Sequence, residues 1–250
     1  MSRPKLYFDI LTLFPNFFHS PLRTSLVSKA IKNKLIHVTV HDIRQFGIGT
    51  HKQVDDRPFG GGPGMVLKPD VLELALKNVL AQGRTRGLRV KPKVILLDPT
   101  GASFNQEKAE VFSKKRWFIL ICGHYEGVDE RFKDLFVDEQ ISIGDYVLSG
   151  GETAALVVIE GVSRLLPGFV GEAESTLSES FTEVKLNGKV SRLLDYPVYT
   201  RPEGFKGRQA PKILLSGNHG AIENWRMEKR VEKTRKIRPD LLQRSKSRDR

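Results

Sequence analysis

Three glycine-bearing loops, each placed directly after a short strand-like run, constrain the fold of this chain most strongly. They occupy residues 97–101, 122–127 and 143–152, and the first two follow the apolar runs 94–97 and 117–121. Ligands of an open parallel α/β sheet bind beyond the carboxyl ends of the strands. Because glycine lets the backbone approach a ligand closely, the loops predict one pocket built largely from backbone groups.

The first two thirds of the chain alternate strand-like and helix-like segments. Strands are predicted near 5–13, 36–42, 94–98, 117–121 and 138–142. Helices are predicted near 20–33, 69–82, 104–115 and 152–166. This alternation is typical of an α/β fold with a mainly parallel sheet covered by helices.

A break at Pro167-Gly168 predicts the end of this first domain, residues 1–168. Residues 169–192 are rich in Ser, Glu and Gly and lack a sustained period, which indicates a flexible interdomain linker. Residues 193–250 then form a small, basic, C-terminal helical domain in this interpretation.

Charge is unevenly distributed along the 250 residues, whose net charge is +12. The segment from Arg226 to Arg250 holds eleven Lys or Arg residues and four Asp or Glu residues. Such a basic block favours contact with nucleic-acid phosphates, although a solvated, frayed end has the same composition.

The single cysteine, Cys122, excludes an internal disulfide and favours a reducing, cytoplasmic location. No leader pattern is evident, and no apolar stretch reaches the roughly 20 residues needed to span a bilayer. Cys122 ends an apolar run, so a buried structural thiol is favoured over a nucleophile. The histidines have no metal-ligand spacing, and no metal ligand is assigned.

A second glycine cluster lies at 60–64, within the loop 51–65. It is not followed by Gly-Lys-Ser/Thr and does not follow a strand, so neither common nucleotide-binding fingerprint is present. Two interpretations stay open: a turn with unusual backbone angles, or a functional loop bearing Asp55, Asp56 and Arg57. The loops at 97–101, 122–127 and 143–152 offer neutral amides and small residues with few cations, which suits an adenine with a sulfonium or amino-acid moiety better than a triphosphate.

Together these motifs resemble the bacterial tRNA (guanine-N1)-methyltransferase family, the TrmD type of the knotted SPOUT class. The matching stretches are 13–15, 54–65, 122–131, 142–152 and 199–202, in family order over nearly the whole chain.

The resemblance implies transfer of a methyl group from S-adenosylmethionine to N1 of the guanine just 3′ of the anticodon, tRNA position 37. It also implies a homodimer with active sites between subunits, and a deep trefoil knot formed by the three loops. The first domain would be the knotted domain, and the basic helical end would bind tRNA.

The resemblance assigns cofactor contacts to all three loops. The residues are Leu97, Pro99, Gly101, Gly123, Tyr125, Glu126, Ser142, Ile143, Gly144, Tyr146, Leu148, Gly150 and Gly151. It further implies a magnesium ion (Mg2+), with Glu126 as an alternative contact for it. Contacts to RNA are expected from Asp55, Arg57, Arg201 and the Trp225-Arg226 region, and a base could stack on Tyr125 or Phe181.

The chemistry demands a base and a cation. N1 of neutral guanine carries a proton that a base must remove, and its removal places negative charge on O6. Arg164 matches the family arginine expected to polarise O6. The family's base is an aspartate, but Glu179 takes its place here, with Asp195 as the alternative base. The linker is also longer than usual, by residues 183–191.

Two rival functions remain at this point. An RNA-binding factor that lost its chemistry would explain the charge and the glutamate at 179, but not three intact cofactor loops. A different knotted RNA methyltransferase, acting on ribose or ribosomal RNA, differs in which atom receives the methyl group.

Overall fold

The computed structural model describes residues 4–170, 179–186 and 188–242. The chain divides into two compact units, Met1–Gly171 and Glu172–Arg250, and each is described by itself. Within the described ranges, no helix combines the length and the apolar composition that crossing a membrane requires.

A five-stranded parallel sheet forms the centre of the first unit, with the strand order β2-β1-β6-β5-β7. A short antiparallel pair, β3 and β4, stands apart from it. The strands are β1 (Leu6–Thr12), β2 (Ile36–Asp42), β3 (Asp55–Asp56), β4 (Val66–Leu67), β5 (Lys93–Ser103), β6 (Trp117–Cys122) and β7 (Glu139–Ser142). The predicted mixed α/β class with a mainly parallel sheet is confirmed.

Helices cover both faces of this sheet. They are α1 (Ser25–Lys32), α2 (Pro69–Thr85), α3 (Gln106–Ser113), α4 (Glu130–Phe136) and α5 (Glu152–Ser163). One hydrophobic cluster joins the sheet to α1, α3 and α5, and a second joins it to α2 and α4. Strands β1 and β6 are buried along their whole length, as expected for central parallel strands covered on both faces.

Strand β5 is longer than the predicted segment 94–98. Its pairing with β7 shifts between Leu97 and Ala102, and both residues lie opposite Ile141. A Cβ atom at Gly101 would come within 2.4 Å of the Gln140 carbonyl carbon and the Ile141 nitrogen. The chain therefore bulges over 98–101 and rejoins the same neighbour, which a five-residue apolar run does not reveal.

Two helix predictions need correction. The segment predicted as one helix over 20–33 is a 3-10 turn, Pro21–Arg23, followed by α1, because Thr24 between them is extended. Helix α5 ends at Ser163 rather than at 166. Helix α4 was not predicted at all.

The second unit contains two hairpins and one long helix. They are β8 (Thr182–Leu186) with β9 (Lys189–Leu193), β10 (Gly204–Phe205) with β11 (Arg208–Gln209), and α6 (His219–Ile237). The structure differs from the linker expectation over 182–192, which it places in the first hairpin. The sequence signal was the dipeptide Asn187-Gly188 between two short runs, a typical hairpin turn. Residues 171–178 of the expected linker and the basic end at 243–250 lie outside the described residues.

Candidate active site

A cavity of about 350 Å³ lies against the bulge of β5 and beyond the carboxyl ends of β6 and β7. This volume falls within the usual range for small-molecule sites. Twelve of the thirteen expected cofactor contacts line it. They are Leu97, Pro99, Gly123, Tyr125, Glu126, Ser142, Ile143, Gly144, Tyr146, Leu148, Gly150 and Gly151.

The remaining expected contact, Gly101, lies outside the cavity lining. It packs against the backbone of β7 and permits the bulge in β5 described above. Gly101 thus lies at the end of the first loop, where it contacts β7 and not the cavity.

The third loop lies directly against the second, and we call this close approach of the two backbones the crossing. Gly151 N donates a hydrogen bond of 2.9 Å to Gly123 O, and His124 forms an antiparallel bridge with Gly150. The His124 Nδ1 atom also hydrogen-bonds to Ser149 O. A Cβ atom at Gly151 would lie 2.7 Å from Cys122 Cα, so the crossing is close enough to require glycine there.

A tight turn shapes the third wall. The Ser142 hydroxyl donates a 3.0 Å hydrogen bond to Gly144 O, and Gly144 N donates a 3.3 Å hydrogen bond back to it. Gly144 has a φ of +155°, and a Cβ atom there would contact the Tyr146 ring. In the first loop, the Asp98 carboxylate accepts hydrogen bonds from Thr100 N at 2.9 Å and Thr100 Oγ1 at 2.6 Å. The polar side chains of Asp98 and Ser142 therefore form hydrogen bonds within the loops and stabilise their conformation.

The glycine cluster at 60–64 belongs to a segment that is fastened to the second loop. Glu126 N donates to Met65 O at 2.9 Å, and Leu67 N donates to Gly127 O at 3.0 Å. A Cβ atom at Gly64 would lie 2.4 Å from the Glu126 carboxylate. The φ angles at 60–62 lie between +81° and +112°, so the expected unusual backbone angles are present.

A buried carboxylate, which the sequence reasoning missed, supports the third loop. Glu152, in the first turn of α5, is only 6% exposed and accepts a 2.7 Å hydrogen bond from Thr12 Oγ1. Thr12 Oγ1 in turn accepts one from Phe14 N at 2.9 Å. Burial raises the pKa of the Cys122 thiol well above its ordinary value, and the Glu152 charge adds to the shift. The thiol therefore stays protonated and unreactive near neutral pH.

The three candidate catalytic residues fall in different units. Arg164 directly follows α5 in the first unit and is half-buried. Glu179 and Asp195 lie in the second unit, both half-buried. Glu179 O accepts hydrogen bonds from Thr182 N and from the Arg230 guanidinium.

Asp195 is held by local contacts. Its N–H donates a 3.0 Å hydrogen bond to Ser180 Oγ, and its carboxylate accepts one of 2.8 Å from Tyr196 N. The Ser180 contact places the candidate base segment around Glu179 beside the segment of the alternative base.

The expected RNA contacts also fall in both units. Asp55 lies in β3 and is half-buried, and Arg57 and Arg201 are exposed. Arg226 on α6 pairs with Glu223 at 2.5 Å, and its guanidinium lies 4.9 Å from the centre of the Tyr196 ring.

Among residues 4–170, 179–186 and 188–242, no group of three His, Cys, Asp or Glu side chains is arranged to hold a metal ion. Glu126 packs instead against Gly64. Within these ranges the side chains therefore supply no preformed cluster for magnesium, an ion that proteins usually hold through one or two carboxylates together with the substrate.

Comparison with known proteins identifies the family. The family description "tRNA (Guanine-1)-methyltransferase TrmD" matches residues 6–244 of this chain. The chain belongs to the TrmD family. Its relatives include proteins named tRNA (guanine-N(1)-)-methyltransferase from Lactiplantibacillus plantarum, 47% identical over 94% of this chain and 89% of the relative. Those from Moorella thermoacetica and Listeria monocytogenes are 46% and 44% identical over 94% of this chain, covering 90% and 91% of the relatives.

Proposed function

We propose that this TrmD-family protein transfers a methyl group from S-adenosylmethionine to N1 of the guanine just 3′ of the anticodon of tRNA. The cavity formed where the three loops cross carries this proposal, together with the names of the relatives. S-adenosylmethionine supplies the methyl group on a sulfonium centre. The basic C-terminal region fits a polyanionic substrate.

The cavity residues fit such a cofactor. Its walls combine apolar side chains, among them Leu97, Ile143 and Leu148, with the peptide groups of Gly123 and Gly150. Apolar walls with a few placed polar groups suit an adenine ring and a nucleoside. The crossing of Gly151 over Gly123 supports a knotted path of the chain, which is part of this proposal.

In the proposed mechanism, Glu179 removes the N1 proton of guanine and Arg164 stabilises the negative charge that develops on O6. Asp195 is the alternative base, because its segment is hydrogen-bonded to Ser180 next to Glu179. Glu179→Gln keeps the size of the side chain and removes the base. We expect its kcat to fall by roughly 10²- to 10⁴-fold, with the affinity for S-adenosylmethionine unchanged.

Glu179→Asp is the matched control, since it keeps a carboxylate and shortens the side chain by one methylene. It should lose less activity than Glu179→Gln. If Glu179→Gln retains near-normal turnover while Asp195→Asn loses it, the base is Asp195 instead.

A homodimer with shared active sites is the second part of the proposal. Arg164 lies in the first unit and Glu179 in the second, so one site can take them from different protomers. After exchange of subunits, a mixture of Arg164→Ala and Glu179→Ala should recover about a quarter of wild-type activity, because half of the dimers then contain one intact site. Sites formed within one protomer would recover nothing.

The overall function is tested by incubating the protein with labelled S-adenosylmethionine and a tRNA transcript that carries guanine 3′ of the anticodon, followed by nucleoside analysis. We expect N1-methylguanine at that position. Cofactor binding without product would favour an RNA-binding factor, and a methyl group on a ribose would favour a different knotted methyltransferase.

A further inference from the structure

A row of rings leads outward from the mouth of the cofactor cavity. The centres of the His124 and Tyr125 rings, which line the cavity, are 4.9 Å apart. The Phe14 ring is perpendicular to the His124 ring, with centres 5.0 Å apart. The Arg44 guanidinium lies 5.8 Å from the centre of the Phe14 ring. We call these four residues the aromatic row.

The two outer rings of the row remain accessible in the chain. Phe14 is 43% exposed and Tyr125 is 44% exposed. Arg44 is exposed too. Exposed aromatic faces next to a guanidinium offer the surface on which unstacked bases commonly rest.

The row is fastened to the cofactor loops rather than carried on a free segment. Phe14 N donates to Thr12 Oγ1, which donates to the buried Glu152 at the start of α5. His124 hydrogen-bonds to Ser149 O in the third loop. Tyr125 has a φ of +59°, an uncommon backbone conformation for a residue other than glycine. Such backbone strain persists where the surroundings hold it, and it is frequent at functional sites.

We propose that the aromatic row is the stacking surface for the unpaired anticodon-loop bases next to the target guanine, and that Arg44 meets a phosphate of the same loop. This inference rests on the proposed function. The target guanine must leave the base stack of the anticodon loop to reach the methyl donor in the cavity. The bases next to it therefore lose a stacking partner. Rings at the cavity mouth replace that partner, at the place where the neighbours must lie.

The test compares Phe14→Ala with Phe17→Ala. Phe17 is a matched control because it is 47% exposed, lies three residues away and places its ring against Phe18. Its contact with Phe14 is a backbone hydrogen bond, which an alanine at 17 keeps. Phe14→Ala should raise the Kd for tRNA by about 10- to 100-fold, the range usual for loss of one base–aromatic stack. The Kd for S-adenosylmethionine should change less than about twofold in both variants.

Two further variants separate stacking from simple packing. Phe14→Trp should keep tRNA affinity, whereas Phe14→Leu, which stays apolar but loses the ring, should resemble Phe14→Ala. A fluorescent purine placed next to the target guanine should be quenched on binding to wild type and not on binding to Phe14→Ala. Arg44→Gln should reduce the slope of log Kd for tRNA against log salt concentration by about one, as expected for the loss of one phosphate contact. Phe14→Ala should leave this slope unchanged.

The proposal fails if Phe14→Ala binds tRNA as Phe17→Ala does, or if Phe14→Leu behaves as wild type. It also fails if Phe14→Ala changes the oligomeric state without RNA, which would make the row a protein contact. These outcomes are distinct from failure of the proposed function, which appears as absence of N1-methylguanine with the wild-type protein.

Discussion

The two edges of the central sheet differ in what lines them. The carboxyl edge carries the cavity of about 350 Å³ made of crossing, glycine-bearing loops. The amino edge carries a cavity of about 480 Å³ lined by five cations: Lys91, Lys93, Lys114, Lys115 and Arg116. The more charged cavity is not the one to which the family motifs belong. Close backbone crossings, and not charge, distinguish the proposed cofactor site.

Several charges at the amino edge serve the fold. Lys91 Nζ lies 3.0 Å from the Asp138 carboxylate, and Val94 N donates to that carboxylate at 2.8 Å. Burial raises the pKa of Asp138, but the hydrogen bonds from Val94 N and Lys91 outweigh it, so the pKa lies below its ordinary value. These contacts tie the start of β5 to the start of β7.

Removal of the buried Asp9 carboxylate should have the largest effect on stability. Asp9 accepts hydrogen bonds from His41 at 2.8 Å, Arg86 at 2.7 Å and Trp117 at 2.7 Å. Asp9→Asn leaves the Arg86 charge without its partner, so the free energy of unfolding should fall by about 3–5 kcal/mol. Denaturant unfolding measures this.

The wild type and the Asp9→Asn variant also test how the stability of the fold depends on pH. Burial raises the pKa of Asp9, but the hydrogen bonds from His41, Arg86 and Trp117 outweigh it and the pKa is lowered. A lowered pKa stabilises the fold above the unfolded value near ~3.9, and this contribution is lost as the pH falls through the folded value. The stability difference between wild type and Asp9→Asn should therefore shrink below about pH 4. A constant difference down to pH 3 would contradict this.

Among these substitutions, Gly151→Ala should weaken the binding of S-adenosylmethionine most. Its Cβ atom would meet Cys122 Cα at 2.7 Å and Gly123 N at 3.1 Å, so two backbone segments must separate. We expect the Kd for S-adenosylmethionine, measured by calorimetry, to rise by about 10- to 100-fold, which corresponds to the loss of one or two buried hydrogen bonds. Gly220→Ala in α6 is the control, because its Cβ atom meets only Asn218 at 3.7 Å. Equal cofactor binding by the two variants would contradict the role of the crossing.

Thr12→Val should destabilise the fold less than Asp9→Asn does. It keeps the shape of the side chain but removes the hydrogen bond to the buried Glu152. The free energy of unfolding should fall by about 1–3 kcal/mol. Thr100→Val, which breaks an exposed hydrogen bond to Asp98, should cost less. A larger loss in Thr100→Val would mean that the Thr12–Glu152 contact does not support the loop.

Substitutions at the amino edge of the sheet should change the binding of S-adenosylmethionine least. Lys114 and Lys115 are exposed and form no ion pair with the described residues. The double variant Lys114→Ala/Lys115→Ala should keep its Kd for S-adenosylmethionine within about twofold, since exposed charges contribute little to a distant site. A loss as large as that of Gly151→Ala would place the cofactor at the wrong edge.

Strands β5 and β6 were predictable because they contain apolar runs, and the pocket because glycine-bearing loops follow those runs. Helix α4 was missed because it has only seven residues, although Asp129 caps it by accepting a hydrogen bond from Arg131 N. The Thr12–Glu152 contact joins residues 140 positions apart, so no local pattern reveals it. The roles proposed for Arg164 and Glu179 came from the family resemblance, since neither residue has a chemical signature in its own neighbourhood.

Hydrogen–deuterium exchange with and without S-adenosylmethionine tests the contrast between the two edges most directly. Bound cofactor should slow exchange in 97–101, 122–127 and 143–151, and leave 89–93 and 114–116 unchanged. Protection confined to the amino edge, or none in the three loops at saturating cofactor, would contradict the assignment of the cofactor to the crossing of the loops.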